Sequence, residues 1–279
     1  MKIGFVTCVQ LGLSCMEAIY KSGGRIDFAM TLPDDKALTK SGRVFIDDFC
    51  SSHGIPLFKS EHVNNSDVID KIKRADLDWL FIIGWSQIAS QNVLDAPYKG
   101  VLGMHPTLLP EGRGRAAIPW AILKNLNKTG VTLFKMDHGV DTGPIAAQIE
   151  IPLSIDTTAT QLYEQVDTAH VQLINMVVPL ILEDRLELRP QNNTLAKEWP
   201  GRKPEDGRIN MEGSVHDAEK LVRAVTRPYP GAFYHVDNKY YRIWAARVLN
   251  EGDAKTPREI YLSFNDGVLH LQDFEVLSD

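Results

Sequence analysis

One histidine and one aspartate are the residues of this chain best suited to proton transfer. His105 follows the apolar, strand-like run Gly100–Met104, and Asp141 lies in the polar loop DHGVDTG. A carboxylate beside an imidazole fixes the ring tautomer and increases its basicity, so the two suit general acid–base chemistry. Amine acylation, hydrolysis and phosphoryl transfer can all use such a pair, so these residues predict a reactive site without naming its reaction.

Two arginines follow the histidine in the stretch EGRGR. Arg113 and Arg115 carry planar guanidinium groups that can bind a carboxylate or a phosphate through paired hydrogen bonds. Gly112 and Gly114 let the backbone approach a ligand closely. A solvated loop with salt bridges at the start of the next helix is the competing interpretation, and the residue pattern leaves both open.

Several common catalytic patterns are missing from the sequence. It has no G-x-S-x-G elbow, and Cys8 has no evident neighbouring base, which makes a covalent nucleophile a minor option. The first strand-to-helix turn, TCVQLGLSC, contains Gly12 alone instead of GxGxxG, which argues against a nicotinamide or flavin enzyme. The 3 cysteines show neither zinc-ligand nor disulfide spacing, so we expect buried thiols and no metal site.

Composition narrows the class of protein further. The chain has 279 residues, 44% of them hydrophobic and 24% charged, which is ordinary for a globular protein. The formal net charge of −6 argues against nucleic acid as the main partner. No apolar segment reaches the roughly 18 residues that a membrane helix needs, so we expect a soluble cytoplasmic protein in a reducing compartment.

Strands and helices alternate along the first two thirds of the chain. Predicted strands cover Lys2–Thr7, Ile26–Thr31, Ile55–Phe58, Trp79–Gly84, Gly100–Met104, Val131–Met136 and Ile145–Ile151, and predicted helices cover Leu11–Lys21, Val44–Ser52, Val68–Arg74, Ala117–Asn125 and Ala159–Glu183. This alternation predicts an α/β fold, with a Rossmann-like, mostly parallel sheet and helices on both faces. Such sheets bind ligands beyond the carboxyl ends of their strands, where Trp85, His105 and Asp141 are expected.

The last third of the chain has a different pattern. Residues 188–206 are rich in Asn, Pro, Gly and charge, and they predict a linker between a first domain, 1–187, and a second, 207–279. In the second domain a helix near Val215–Thr226 precedes β-rich runs on either side of Asp237-Asn238, which predicts a hairpin. The C-terminal domain is therefore expected to be small and mainly β.

Two separated stretches resemble one known family. HPTLLPEGRGRAAIPWAI and TGVTLFKMDHGVDTGPIAAQ closely resemble the central motifs of the formyltransferases that use N10-formyltetrahydrofolate. RAVTRPYPGAFYHVDNKYYRIWAARV is similar to the C-terminal domain of the methionyl-tRNA and amino-sugar formyltransferases. The resemblance covers nearly the whole chain and implies formyl transfer from the folate N10 to a primary amine, with N10-formyltetrahydrofolate as cosubstrate and no metal.

The resemblance also implies roles for individual residues. His105 matches the catalytic histidine of the family, and Asp141 matches its catalytic aspartate. The matching loop implies that Trp85, Ser86, Gln87 and Ile88 hold the pterin ring, together with Asp137 and Val140. Residues expected at the acceptor side are Gly103, Met104, Thr107, Arg113 and Arg115. His105, oriented by Asp141, serves either as the base or as a donor to the developing oxyanion, and the residues leave this choice open.

One position departs from the family pattern. The family usually has an asparagine two residues before the histidine, where its amide binds the formyl oxygen, and this chain has Gly103 there. Removing one oxyanion donor raises the barrier by roughly 3 to 4 kcal/mol in other enzymes. We therefore expect His105 and an ordered water to share the task of the missing amide.

Within the family, a slightly acidic chain with a compact second domain most resembles a nucleotide-sugar N-formyltransferase. The expected acceptor is then the amine of a nucleotide-linked amino sugar, a precursor of surface polysaccharide such as lipopolysaccharide. The resemblance also implies a homodimer through the C-terminal domain. Two alternatives stay open, namely a formyltransferase for another amine, such as methionyl-tRNA, and a non-catalytic folate-binding relative.

Overall fold

The computed structural model describes residues 1–39, 43–236, 239–250, 252–253, 256 and 259–278, which form strands, helices and short 3₁₀ turns. The strands are β1 Ile3–Val6, β2 Phe28–Thr31, β3 Leu57–Lys59, β4 Trp79–Ile82, β5 Gly100–His105, β6 Glu111–Gly114, β7 Lys128–Lys135, β8 Ile145–Pro152, β9 Lys197–Trp199, β10 Ala232–Val236, β11 Lys239–Val248, β12 Ile260–Phe264 and β13 Gly267–Ser278. The helices are α1 Gln10–Lys21, α2 Asp47–His53, α3 Ser66–Arg74, α4 Gln91–Leu94, α5 Ala117–Leu123, α6 Ala159–Leu182 and α7 Val215–Val225.

The chain forms two compact units that each contain several segments of the sequence. The first consists of Met1–Gly114, Thr129–Ile151 and Gln165–Glu198, and the second of Arg115–Lys128, Pro152–Glu164 and Trp199–Asp279. The predicted segment 188–206 contains β9, and Arg189 within it forms a β-bridge to Ile145. The predicted boundaries 1–187 and 207–279 remain a prediction.

The first unit is built on a seven-stranded sheet in the order β3-β2-β1-β4-β5-β7-β8. Strands β1 to β5 all pair parallel with one another, which confirms the predicted mostly parallel sheet. Every residue of β1, β2 and β4 is buried, as expected for parallel strands that are covered on both faces. The rings of Phe5 and Phe81 stack at 5.8 Å between these strands.

One strand runs against the others, and this changes how Asp141 reaches the histidine. β7 pairs antiparallel with β5, so that Leu102 lies opposite Lys135 and His105 lies opposite Thr132. The loop after β7 therefore starts beside the beginning of β5, where the amide of Met136 donates to the carbonyl of Val101. The carboxyl end of β7 therefore does not lie where β5 ends, and the loop has to run back to bring Asp141 beside His105 at the expected edge of the sheet.

The EGRG segment forms a strand where the sequence pattern predicts a loop. β6 pairs with β9 in a separate two-stranded sheet. The amide of Lys197 donates to the carbonyl of Pro110, and the ammonium group of Lys197 forms a salt bridge with Glu111. Since β9 lies far along the chain, local propensity gives no indication of this pairing.

The second unit contains a four-stranded sheet in the order β10-β11-β13-β12, whose neighbours all pair antiparallel. Helix α7 packs against β11 and β13, and Val222, Ile243 and Leu269 are buried in its core. This confirms the predicted small, mainly β C-terminal domain. β10 and β11 form the predicted hairpin, although its turn, Asp237-Asn238, lies outside the described residues.

The three cysteines are buried thiols, as predicted. Burial raises the pKa of the Cys15 thiol and raises that of Cys50 to about 11. Within the described ranges, no helix has the length and apolar character that crossing a membrane requires.

Candidate active site

His105 lies at the last position of β5 and is only 8% exposed. Its Nε2 is 2.7 Å from the carbonyl oxygen of Gly112, and its Nδ1 is 3.5 Å from Oδ2 of Asp141. The strand therefore brings together the two residues that the sequence singled out for acid–base chemistry.

Both ring nitrogens of His105 face hydrogen-bond acceptors. A carbonyl oxygen can only accept, so we assign the Nε2 proton as the donor to Gly112. This leaves Nδ1 of the neutral ring with its lone pair directed towards the Asp141 carboxylate. Nδ1 is thus the atom that can take a proton during a reaction, and the carboxylate would then stabilise the charged ring.

Asp141 adopts a backbone conformation that few residues accept. Its φ is 54°, in the left-handed region, where Asp and Asn are enriched among non-glycine residues. Its Oδ2 accepts a hydrogen bond of 2.9 Å from the backbone amide of Gly114, and the same oxygen faces His105. The carboxylate is therefore fixed by the backbone of β6 as well as by its own loop.

Two glycines of β6 hold His105 and Asp141 through their backbone atoms. The carbonyl of Gly112 accepts from His105, and the amide of Gly114 donates to Asp141. Both glycines have positive φ, 77° and 105°, which a residue with a side chain would rarely adopt. The EGRG stretch thus holds the imidazole and the carboxylate through its backbone, a role that the sequence pattern did not predict.

The two arginines of this stretch have different surroundings. Arg113 is 6% exposed, and its Nε and Nη2 donate to Oε1 of Gln191 at 3.2 and 2.7 Å. Nη2 also donates to Oδ1 of Asn193 at 2.7 Å. Arg115 is exposed and belongs to the second unit. Of the two, Arg115 has the side chain that is accessible to an acceptor molecule.

Gln191 is the member of this site that sequence reasoning missed. Its Nε2 donates to the carbonyls of Asp141 and Gly143, at 2.8 and 2.7 Å. The residue lies in the Asn- and Pro-rich segment that predicts a linker, where a polar amide carries no distinguishing signal. A bridge between Arg113 and the Asp141 loop becomes visible only in the folded chain.

The loop assigned to the pterin ring is held by the segment before α3. Gln87 accepts from the indole of Trp85 at 3.1 Å and from the amide of Val63 at 3.0 Å, and it donates to the carbonyl of Glu61. The side chain of Asn64 donates to the carbonyl of Ile88. Gln87 therefore orders the loop from inside, and the neighbouring Ser86 is exposed.

The second part of the predicted folate site is the loop after β7. Oδ1 of Asp137 accepts from the amide of Gly139 at 3.0 Å and from the hydroxyl of Thr142 at 2.5 Å. These bonds close the loop that carries Asp141, whereas Val140 is exposed at its tip. The contacts of Asp137 lie within the loop, so it supports the position of Asp141.

Gly103 lies on the same face of β5 as His105, because side chains alternate along a strand. A Cβ atom at this position would be 3.1 Å from Sδ and 3.2 Å from Cγ of Met136. The thioether of Met136 thus covers the place where the family usually has an amide, and it has no proton to donate. The missing oxyanion donor is not replaced by this neighbour.

The other two residues expected on the acceptor side lie close to the histidine in sequence. Met104 is half-buried, and Thr107 is only 1% exposed. The carbonyl of Thr107 accepts from the hydroxyl of Thr132 at 2.7 Å, but its own Oγ1 has no hydrogen-bond partner among the described residues. A buried hydroxyl of this kind can still pair with a bound molecule or water.

A second buried histidine makes the stability of the fold depend on pH. His170 of α6 is 2% exposed, and its Nδ1 is 2.7 Å from the carbonyl of Val166. Burial is the main cause that lowers the pKa of His170 from 6.5 to about 4, and the electrostatic influence of the neighbouring His105 acts in the same direction. The unfolded chain therefore binds more protons between these values, so stability is complete above pH 6.5 and is lost as the pH falls towards 4.

We expect the protonation of His170 to lower the free energy of unfolding by roughly 3 kcal/mol between neutral pH and pH 4. His170→Gln keeps a side chain that can donate to Val166 but cannot be charged. The difference in unfolding free energy between the two proteins, measured with urea at several pH values, should shrink by about that amount on acidification. A difference that does not vary with pH would contradict the assignment.

Among the residues that the structure describes, no group of three or more His, Cys, Asp and Glu is arranged to hold a metal ion.

Two family models match the chain in the order of its two units. The first, described as "Formyl transferase", matches residues 27–178, and the second, "Formyl transferase, C-terminal domain", matches residues 202–272. The first match alone covers more than half of the chain and includes both His105 and Asp141.

Individual relatives agree with these matches. The chain is 29% identical to a methionyl-tRNA formyltransferase of Agathobacter rectalis, over 94% of this chain and 84% of the relative. It is 30% identical to the bifunctional polymyxin resistance protein ArnA of Wigglesworthia glossinidia brevipalpis, over 96% of this chain and 40% of that longer protein.

A solved structure has the same fold. It is an N-formyltransferase from Helicobacter canadensis in complex with folinic acid and dTDP-3-aminofucose, with a TM-score of 0.69. Its sequence is 19% identical, and the match covers 99% of this chain and 100% of that one. Together with the site geometry, the family match leads to one conclusion: the chain belongs to the formyl transferase family and is a folate-dependent N-formyltransferase.

Proposed function

We propose that this protein transfers the formyl group of N10-formyltetrahydrofolate to the primary amine of a nucleotide-linked amino sugar. The observation that supports it most directly is the pairing of the buried His105 with the half-buried Asp141, in which Nδ1 lies 3.5 Å from Oδ2. Formyl transfer to an amine needs a group that manages protons beside the reacting carbon, and this pair supplies one.

The reaction balances with the groups present. The neutral amine attacks the formyl carbon, an oxyanion develops on the formyl oxygen, and the bond from this carbon to N10 then breaks. The amine loses one proton and N10 gains one. Nδ1 of His105 can accept the first proton while Asp141 stabilises the charge, and the protonated ring can return it or donate to the oxyanion.

Two exposed apolar side chains support the placement of the folate. Ile88 is 76% exposed and Val140 is 51% exposed, although both are residues that usually avoid water. They lie in the two loops that resemble the pterin-binding segments of the family. A flat pterin ring held by the backbone of the loop Trp85–Ile88 would cover apolar surface of this kind.

The nature of the acceptor is supported by charge and by similarity. The Helicobacter canadensis protein, which matches this chain over its whole length, was solved with dTDP-3-aminofucose. The net charge of −6 fits a small acceptor better than a tRNA, whose binding depends on a broad positive surface. A nucleotide-linked amino sugar has the required primary amine and two phosphates.

The second unit contains cations that lie against indole rings. The guanidinium of Arg202 lies 5.2 Å from the ring centre of Trp120, and the ammonium of Lys124 lies 5.4 Å from it. Lys203 and Arg115 are exposed in the same unit. The two cations beside Trp120, in an otherwise acidic chain, support an acceptor that carries phosphate.

The test is direct formylation by the purified protein. It is incubated with N10-formyltetrahydrofolate and a panel of UDP-, dTDP- and GDP-linked amino sugars, and mass spectrometry monitors the addition of one formyl group. Turnover of one panel member supports the proposal. Tight binding of folinic acid with no turnover of any amine would instead favour a non-catalytic folate-binding relative.

Arg115→Ala is expected to raise the KM for the nucleotide sugar by roughly 10-fold or more, with little change in kcat. The reason is that an arginine bound to phosphate contributes about 1.5 to 3 kcal/mol to binding in both ground and transition states. Steady-state kinetics with the panel member that is formylated fastest gives KM and kcat separately. Arg25→Ala removes an equally exposed arginine of the first unit and should leave both constants unaltered. An unchanged KM in Arg115→Ala would argue against the role.

Methionyl-tRNA is the second candidate acceptor. It is favoured by the identity of 29% to the methionyl-tRNA formyltransferase of Agathobacter rectalis over 94% of this chain. Charged initiator tRNA therefore belongs in the same panel. Faster formylation of the tRNA than of any amino sugar would replace the first proposal with the second.

The further expectations about context remain proposals. Cytoplasmic synthesis of a surface polysaccharide such as lipopolysaccharide would consume a formylated nucleotide sugar. A homodimer through the C-terminal domain can be tested by light scattering of the purified chain, and a monomer at micromolar concentration would contradict it.

A further inference from the structure

Gln191 connects Arg113 to the loop of the catalytic aspartate. Its Oε1 accepts from Nε and Nη2 of Arg113, at 3.2 and 2.7 Å. Its Nε2 donates to the carbonyls of Asp141 and Gly143, at 2.8 and 2.7 Å. One amide therefore joins the buried arginine of β6 to the backbone on both sides of Thr142.

These bonds use the full hydrogen-bonding capacity of the amide. A glutamine side chain has one oxygen with two lone pairs and one NH₂ group with two protons, and all four are paired here. A rotation of the amide by 180° would place donors against Arg113 and an acceptor against two carbonyls. The orientation of Gln191 is thus determined by its partners, which makes it a rigid connection.

Gln191 holds Asp141 in a backbone conformation that residues with a side chain rarely adopt without support. Asp141 has φ 54°, and its carboxylate must meet both the amide of Gly114 and the imidazole of His105. The side chain fixes one end of the residue through Gly114, and Gln191 fixes the other end through the carbonyl oxygen. Catalytic groups need such support, because a displacement of about 1 Å can lower a rate by roughly 10²-fold.

We propose that Gln191, held by Arg113, is a positioning residue that keeps the Asp141 carboxylate directed at His105. The inference rests on the proposed function, since it assigns Gln191 a part in formyl transfer. It also gives Arg113 a structural task in place of contact with the acceptor. The guanidinium fixes the amide, the amide fixes the loop, and the loop presents the carboxylate.

Gln191→Glu tests the proposal because it removes the bonds that Gln191 donates and keeps those that it accepts. The carboxylate can still accept from Arg113 but no longer donates to the carbonyls of Asp141 and Gly143. Gln191→Leu is the second variant, and it loses the bonds to Arg113 as well as those to the two carbonyls. Asn193→Ala is the matched control, since it removes another acceptor of Arg113 and keeps both bonds that Gln191 donates.

We expect Gln191→Glu to lower kcat by roughly 10- to 100-fold, with the KM values for N10-formyltetrahydrofolate and for the acceptor within about twofold of the wild type. Gln191→Leu should do the same, and Asn193→Ala should keep kcat within about twofold. A larger rise in KM than fall in kcat would assign Gln191 to binding and overturn the proposal. Equal losses in Gln191→Glu and Asn193→Ala would show only a general structural role and would also overturn it.

A spectroscopic measurement separates this inference from the proposed function. The imidazole signals of His105 are assigned in the NMR spectrum by their loss in His105→Asn, without any substrate. They should shift in Gln191→Glu in the same direction as in Asp141→Asn, and they should stay in place in Asn193→Ala. If no panel acceptor is formylated, the proposed function fails while these shifts still test the connection. If the signals do not move in Gln191→Glu, the positioning role is wrong whatever the activity.

Discussion

Asp141→Asn is expected to lower kcat by about 10³-fold or more while the protein stays folded. The substitution keeps the size of the side chain and its ability to accept from the amide of Gly114. Asparagine also tolerates the left-handed backbone at φ 54°. What is lost is the negative charge that faces Nδ1 of His105 at 3.5 Å, and with it the stabilisation of the ring when it accepts a proton. Loss of the equivalent charge beside a catalytic histidine costs on the order of 10⁴-fold in serine proteases.

Two measurements on Asp141→Asn distinguish a slower reaction from weaker binding of the formyl donor. The first is single-turnover formylation of the preferred panel acceptor, and the second is the affinity for folinic acid. Asp76→Asn is the matched control, because Asp76 is also an aspartate with positive φ, 55°, and it precedes β4 at the opposite end from the loop Trp85–Ile88. That variant should keep kcat within about twofold. If Asp141→Asn kept more than a tenth of the wild-type rate, the carboxylate would not be a catalytic group.

Much of the fold follows from residue patterns that are local. The run WLFIIG is apolar at every position, as a strand covered on both faces must be, and it forms the buried β4. The direction of β7 does not follow from such a pattern, because an apolar strand of that length fits a sheet in either sense. Its antiparallel pairing with β5 depends on how the chain crosses from α5, which no window of sequence contains.

The candidate active site likewise contains residues that the sequence pattern predicts and residues that it does not. His105 and Asp141 stand out because their types and settings suit acid–base chemistry, and the structure brings them together. The supporting groups do not stand out: Gly112 and Gly114 act through backbone atoms that every residue has. Gln191 acts from a segment without periodicity, and arginines are seldom as buried as Arg113. Sequence thus predicts which groups react, whereas the contacts that orient them arise from pairings between distant segments.

His105→Asn is the second variant with a large expected effect, on the order of 10³-fold or more in kcat. The resemblance to the family leads us to expect an asparagine two positions before the histidine, with its amide on the formyl oxygen. Here Gly103 has no side chain, and the neighbouring Met136 has no proton to donate, so we predict that the imidazole acts in proton transfer and, with a water, at the oxyanion. An asparagine at position 105 retains a donor but cannot accept and return a proton. His53→Asn, which changes an exposed histidine at the end of α2, is the matched control and should leave kcat within about twofold.

Substitution of Gly103 tests whether His105 and a water together replace the missing amide at the oxyanion. Gly103→Asn places the family's usual amide beside His105, but its Cβ would lie 3.1 Å from Sδ of Met136, so the thioether has to move. We expect a rate several-fold lower than that of the wild type, because the displaced thioether disturbs the packing beside His105, and overpacking of this kind typically costs about 1 to 3 kcal/mol of stability. Gly103→Asn combined with Met136→Ala relieves this crowding and should recover the wild-type rate. If Gly103→Asn alone left the rate unaltered or raised it, while His105→Asn kept most of the activity, then His105 and water would not be the groups that replace the missing amide.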